Sequence, residues 1–254
     1  MRAVNFFALE GIPSIKPGAD LSTVILVALA ANGLELADND VVVLAQKIVS
    51  KSENRYVDLE VVTPSAKAIA AAEICRKDAR LVELILRESV EIVRCVPNIL
   101  IVRNRNGLVL ANAGIDQSNL PDGEQGTSVL LLPENPDASA AGIRDALRRQ
   151  SGKKVGVGII DSLGRAWRIG TSGTLIGAAG IDTVRDMRGQ LDLFGRVLQS
   201  TILGFGDELA AGASLVMGQA SEGTPVVLIR GLTCSSETQT ARTLVRPPHE
   251  DLFK

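Results

Sequence analysis

Three short runs of aliphatic, mostly β-branched residues set the fold class of this chain. Val41-Val42-Val43-Leu44 and the segment 155–160 have strand length and read as buried strands, and Val226-Val227-Leu228-Ile229-Arg230 reads as a late strand. Helical segments lie around them. Residues 21–31 are followed by Asn32-Gly33, a C-terminal stop where glycine takes the left-handed conformation. Thr63-Pro64-Ser65 opens an alanine-rich helix running to Glu73, with Thr63 or Ser65 as its cap. Asp78 starts another, in which Leu81, Leu84, Ile85, Glu88 and Ile92 follow a helical spacing. Further helices are expected over 139–150, ending near Gly152, and over about 207–217. Segments 99–102 and 108–111 flank Arg103-Asn104-Arg105-Asn106-Gly107 and predict a hairpin, and 128–132 predicts one more strand. The class is therefore mixed α/β (α+β) with substantial antiparallel sheet. One unit spanning 1–254 is expected, divisible into two subdomains, with a C-terminal tail over 233–254.

Composition narrows the function. At 254 residues and 46% hydrophobic the chain can bury a real core, and 22% charged residues with a net charge of -2 provide no basic field for nucleic acid. The longest apolar stretch, Val24-Ile25-Leu26-Val27-Ala28-Leu29-Ala30-Ala31, is less than half the roughly 20 residues of a spanning helix. The N-terminal residues reach Glu10 before any secretory apolar region forms, so the chain reads as cytoplasmic with no membrane partner. Cys75, Cys95 and Cys234 are far apart in the chain and lack CxxC spacing, which argues for inert thiols rather than disulfides or a zinc site. The only histidine, His249, sits in the polar tail and reads as solvated, which deprives a histidine-based triad of its base.

Two segments share a form that suggests chemistry. In Ala111-Asn112-Ala113-Gly114-Ile115-Asp116 and in Gly158-Ile159-Ile160-Asp161, an apolar run leads to an aspartate just past the expected strand end, followed by a polar turn. Two such carboxylates converging would hold a hard divalent cation; singly, each is more simply a turn or cap residue. The small-residue loop Met217-Gly218-Gln219-Ala220-Ser221-Glu222-Gly223-Thr224 lets backbone amides approach phosphate oxygens, and Gln219 or Glu222 can offer oxygen to a metal. Lys47 and Lys51, just after the first strand, are point charges suited to phosphate. Arg165 and Arg168 flank Trp167 directly after Asp161; they either grip a carboxylate while Trp167 excludes water, or are solvated around a core tryptophan. Gly152-Lys153-Lys154 lacks P-loop spacing, and no GxGxxG follows a strand, so neither a P-loop nor a Rossmann motif is present.

Taken in order, Glu10-Gly11-Ile12-Pro13, Gln46-Lys47-Ile48-Val49-Ser50-Lys51, Asn112-Ala113-Gly114-Ile115-Asp116-Gln117-Ser118-Asn119, Asp161-Ser162-Leu163-Gly164-Arg165, Leu191-Asp192-Leu193-Phe194-Gly195-Arg196 and Leu215-Val216-Met217-Gly218-Gln219 resemble the coenzyme F-420-0:L-glutamate ligase (γ-glutamyl ligase) family of deazaflavin biosynthesis. The resemblance implies an intertwined γ-glutamyl-ligase-like fold, a homodimer, GTP as phosphoryl donor, Mg²⁺ or Mn²⁺, and room for a monovalent cation such as K⁺. It makes Asp116, Asp161, Ser162 and Gln219 metal-associated. It places Ile12, Pro13, Ser14, Ile15, Gln46, Lys47, Lys51, Asn119 and Met217, Gly218, Gln219, Ala220, Ser221, Glu222, Gly223 and Thr224 around the nucleotide. Two positions depart from the family: Ser162 stands where Thr is frequent, and Gln219 stands where some members have an acid.

The implied reaction is amide formation between L-glutamate and a carboxylate acceptor such as coenzyme F-420-0, activated as an acyl phosphate. Asp116, Asp161, Arg165 and Arg168 are the candidate catalytic residues. Alternatives are a related ligase for another acid or amine, a metal-dependent phosphohydrolase, and a nucleotide-binding module without turnover.

Overall fold

A computed structural model describes residues 3–118, 127–233 and 237–251. Its strands are β1 (Asn5–Ala8), β2 (Val41–Ala45), β3 (Tyr56–Asp58), β4 (Ser89–Val96), β5 (Ile99–Asn104), β6 (Val109–Ala111), β7 (Ser128–Leu130), β8 (Gly156–Gly164), β9 (Thr171–Ala179), β10 (Arg185–Asp186), β11 (Ile202–Leu203) and β12 (Val226–Arg230). The helices are α1 (Leu21–Ala31), α2 (Gln46–Ser52), α3 (Ala66–Cys75), α4 (Ala79–Arg87), α5 (Pro136–Ser151) and α6 (Phe205–Met217).

The main sheet runs β1-β12-β2-β8-β9, with β2 and β8 parallel and the other neighbours antiparallel. Its three apolar runs are continuous because both faces are covered. On one face Val42, Leu44, Val157, Ile159, Val226 and Leu228 pack with Leu21, Ile25 and Leu29 of α1 and with Ala140 and Leu147 of α5. On the other, Val41, Val43, Val227 and Ile229 meet Phe205, Leu209 and Ala213 of α6. Each such fully buried aliphatic side chain contributes on the order of 1.5–3 kcal/mol. A separate cluster joins Ala68, Ala72 and Cys75 of α3, Leu81, Val82 and Ile85 of α4, and Leu100 and Val102 of β5.

Local signals explain most element ends. Asp20 caps α1 by accepting from the amides of Ser22 at 3.0 Å and Thr23 at 3.3 Å. Ser65, not Thr63, caps α3, and Asp78 caps α4. Asn135 caps α5 ahead of Pro136, and Gly152 ends that helix at φ 71°. The expected hairpin forms between β5 and β6.

Some expectations need correcting. The helix from Asp78 stops at Arg87, and Ile92 belongs to β4, which pairs with β5. Ile92 is β-branched and β4 is only partly buried, so its apolar residues imitate a continued helical stripe. Strands β1, β4 and β9 lie in segments without a read strand signal. The tail forms short 3-10 turns over Ala241–Leu244 and Pro248–Glu250 and is anchored, because Asp137 of α5 accepts from the amides of Ala178 and Ala241, each at 2.8 Å. Among the described cysteines, Cys75 is buried and Cys95 half-buried, both free, while Cys234 lies outside the described residues. No helix of the described residues is long and apolar enough to cross a membrane.

Sheet register determines where function can sit. Ala8 pairs with Val227, Val226 with Leu44, and Ala45 with Ile160, so these residues lie at one level across the sheet. Because β2 and β8 are parallel and β12 is reversed between β1 and β2, the segments 9–15, 46–51, 161–162 and 217–225 all leave this level on the same side.

Candidate functional site

A cleft of about 530 Å³ opens where those four segments meet, a size suited to a small-molecule ligand. Its walls include Ile12, Pro13, Ser14 and Ile15 after β1, Gln46, Lys47 and Lys51 of α2, Asp161 and Ser162 of β8, and the loop from Met217 to Thr224 before β12. Asp116 enters from the other cluster, on the segment after β6, and is held by backbone bonds in both directions with Leu130, each at 2.9 Å. The turn that delivers it is tightly wound, with Asn112, Ala113 and Gly114 at φ 53°, 55° and 74°.

The two aspartates differ in environment. Lys47 Nζ lies 2.7 Å from Asp116 Oδ2 and donates to Ser118 Oγ at 2.8 Å, while the amide and hydroxyl of Ser118 both donate to Asp116 Oδ1 at 2.8 Å. Burial alone would raise the Asp116 carboxyl, but the hydrogen bonds from Lys47 and Ser118 outweigh it and hold it below the usual carboxylate range. Among the described residues, Asp161 has no cationic partner of that kind. Burial holds it above the usual range; its bond from the Ser162 amide opposes this, and the nearby charge of Asp116 adds to it. Burial, then the charge of Lys47, lowers Lys51, with Asp116 acting the other way.

The loop before β12 is shaped by its own contacts. Gly218 at φ 75° and Gly223 at φ 70° take conformations that favour glycine, and Thr224 Oγ1 donates to the Met217 carbonyl at 3.0 Å. Glu222, the alternative to Gln219 as an oxygen donor, turns its carboxylate back to accept from the Ala220 amide at 2.7 Å, which lowers its pKa. Gln219 does turn to β8, where Ser162 Oγ donates to its Oε1.

Asp161, expected just past a strand end, lies inside β8, opposite Thr174 of β9. The strand continues to Gly164 because β9 pairs along its whole length. This extension separates Arg165 and Arg168 from the cleft: at about 3.3 Å per residue, four residues of strand span about 13 Å. Both arginines are exposed on the turn between β8 and β9 and are not among the cleft-lining residues. Trp167 is neither core nor a wall, being 91% exposed. Asn119 lies outside the described residues. Ser118 was given no role by sequence reasoning, although it stands in the same segment as Asp116 and bridges it to Lys47. His249 is solvated as expected, with its side chain 80% exposed.

The donor set fits a hard divalent cation. Asp116, Asp161, Ser162 and Gln219 offer only oxygen, and the raised Asp161 carboxyl beside a second aspartate is a charge arrangement that a cation relieves. Among the described residues no group of three or more His, Cys, Asp or Glu side chains gathers. Such a cation would therefore rely on neutral oxygens, water and ligand oxygens for the rest of its shell.

The model of the family described as F420-0:Gamma-glutamyl ligase matches residues 11–231. A protein named Coenzyme F420:L-glutamate ligase from Methanopyrus kandleri is 44% identical over 253 residues, covering 97% of each chain. The protein of that name from Methanothermobacter thermautotrophicus is 41% identical over 99% of each chain. That from Methanocaldococcus jannaschii is 40% identical over 100% of this chain and 98% of its own. Matched along nearly its whole length, the chain belongs to the F420-0:gamma-glutamyl ligase family.

Proposed function

We propose that this chain is a coenzyme F-420-0:L-glutamate ligase that uses GTP to activate the acceptor carboxylate. The observation that carries the reading is the convergence of Asp116, Asp161, Lys47, Lys51 and the Gly218–Gly223 turn on one cleft, in a chain of this family. A carboxylate acylates poorly, so the γ-phosphoryl group of GTP passes to a carboxylate oxygen of the acceptor, giving an acyl phosphate and GDP. The glutamate amine then attacks the acyl carbon; the C–N bond forms, phosphate leaves with the C–O bond electrons, and the amine loses a proton. Such chemistry depends on positioning and charge neutralisation rather than on a protein nucleophile. This suits a cleft whose lining, among the described residues, has no histidine or cysteine.

In this reading the backbone of the loop 217–224 and residues 12–15 hold the nucleotide, and Lys47 and Lys51 add local positive charge. Asp116, Asp161, Ser162 and Gln219 would hold Mg²⁺ or Mn²⁺, which when bound offsets charge on the phosphates. K⁺ as a further cation belongs to the same proposal. So does a homodimer: Leu191, Leu193, Phe194 and Val197 between β10 and β11, and Trp167 and Ile169 after β8, are exposed in a single chain. Sedimentation of the purified protein tests that part.

The reaction is tested by incubating the protein with GTP or ATP, Mg²⁺ or Mn²⁺, L-glutamate and F-420-0, and measuring product mass and nucleoside diphosphate release. The expected result is glutamate-dependent GDP release, a product heavier by one glutamyl residue, and an acyl hydroxamate when hydroxylamine is added. Rapid GDP release to water alone, without hydroxamate, would instead establish a hydrolase. Nucleotide binding without turnover would establish a binding module.

A further inference from the structure

Ser162 and Gln219, the two neutral oxygen donors of the cleft, touch each other through Ser162 Oγ and Gln219 Oε1. The far end of the same carboxamide is also held, since Gln219 Nε2 donates to Ser214 Oγ at 2.9 Å. Ser214 does not line the cleft; it is half-buried near the C-terminal end of α6, five residues before Gln219. Its place there depends on Gly173, the β9 residue paired directly with Ser162. A Cβ on Gly173 would come within 2.3 Å of the Ala210 carbonyl oxygen and 2.7 Å of Ser214 Cβ. The missing side chain thus lets α6 lie against the hairpin beside Ser162, with Ser214 behind the loop that carries Gln219.

A primary amide has two unlike ends: its oxygen accepts a hydrogen bond or faces a cation, whereas its NH₂ group only donates. A carboxylate at the same place has no wrong end. With the oxygen end turned to the cation position, Nε2 needs an acceptor, and the Ser214 hydroxyl, which can accept as well as donate, supplies it. We propose that Ser214 is a positioning residue for the cleft, holding the Gln219 carboxamide so that Oε1 faces Ser162 and the cation position. This rests on the reading of the cleft as a cation and nucleotide site.

The test measures Mn²⁺ binding directly, from the electron paramagnetic resonance signal of free Mn²⁺, to the purified protein with a non-hydrolysable GTP analogue present. Outer-shell partners of metal ligands typically matter by 10- to 100-fold, so Ser214→Ala is expected to weaken Mn²⁺ binding about tenfold. Its melting temperature should stay close to that of the native protein. Ser214→Thr, which keeps the hydroxyl, should restore binding. In a Gln219→Glu background, adding Ser214→Ala should change Mn²⁺ affinity by less than about twofold, because a carboxylate has no NH₂ group that needs an acceptor. Unchanged Mn²⁺ affinity in Ser214→Ala overturns the proposal, as does an equal loss in the Gln219→Glu background, which would mark a structural role. Failure of the native protein to bind Mn²⁺ overturns the cation reading itself, and is distinguished by appearing before any substitution is made.

Discussion

Lys47 Nζ sits 2.7 Å from Asp116 Oδ2, joining the helix that follows β2 to the segment that follows β6. The contact joins two separately packed regions at the cleft wall, so it does more than neutralise a surface charge. Together with Ser118 it sets where the Asp116 carboxylate points. Lys47→Met should weaken GTP binding by about 1–3 kcal/mol, the range for losing a charged hydrogen bond. Titration with a fluorescent GTP analogue measures this, and native-like affinity would remove Lys47 from the nucleotide site.

Asp161→Asn and Asp116→Asn should each nearly abolish ligation, for different structural reasons. Asp161 is a carboxyl raised by burial, so its neutral isostere should leave the melting temperature unchanged or slightly higher. Asp116 loses an ion pair, so Asp116→Asn should be modestly destabilised. Parallel thermal denaturation and turnover assays separate the two effects, and native turnover in either variant would remove that residue from the reacting site.

Gly114 has φ 74°, and a Cβ there would meet Leu132 Cδ1 at 2.6 Å. Gly114→Ala should cost about 1–2 kcal/mol from the left-handed backbone alone, with overpacking added. Because Asp116 is two residues away, ligation should fall by more than the loss of folded protein explains. Activity normalised to the folded fraction, from circular dichroism, measures this; a proportional loss would show that the turn only supports the fold.

Asp20 tests pH dependence away from the cleft. Its hydrogen bonds from the Ser22 and Thr23 hydroxyls, outweighing slight burial, lower its pKa to about 2, whereas in the unfolded chain a value of about 3.9 applies. The folded pKa is depressed, so the stabilisation is complete above the unfolded value and is lost as pH falls from about 4 toward 2. Asp20→Ala should cost about 1 kcal/mol near neutral pH, the usual loss of a helix cap, and little at pH 2. Urea denaturation at the two pH values reads the difference, and an equal cost at both would exclude the ionised cap.

The central strands were legible because Val41–Ala45 and Val226–Arg230 are buried on both faces, so every residue reports the core. β1, β4 and β9 were not. β1 and β4 are half-exposed, and β9 is rich in small residues that carry little strand preference, such as Gly173, Gly177 and Ala178. The cleft was legible where a residue type names its own chemistry, as Asp116, Lys47 and the glycines of the loop 217–224 do. Arg165 and Arg168 stand close to Asp161 in sequence, but the extended strand carries them away from the cleft in space. Ser214 had no signal at all: a serine near the end of an amphipathic helix gains meaning only from Gly173 on another element.

The position of β12 between β1 and β2 bears on how the chain is made. A ribosome releases residues 5–8 and 41–45 well before residues 226–230, yet the first two strands never touch; each waits for the third to slide in as their shared neighbour. Until then, both carry unpaired backbone groups along an open edge. Nascent chains that end between β8 and β12 leave the outer edge of β2 unpaired, and there the growing protein should depend most on chaperones.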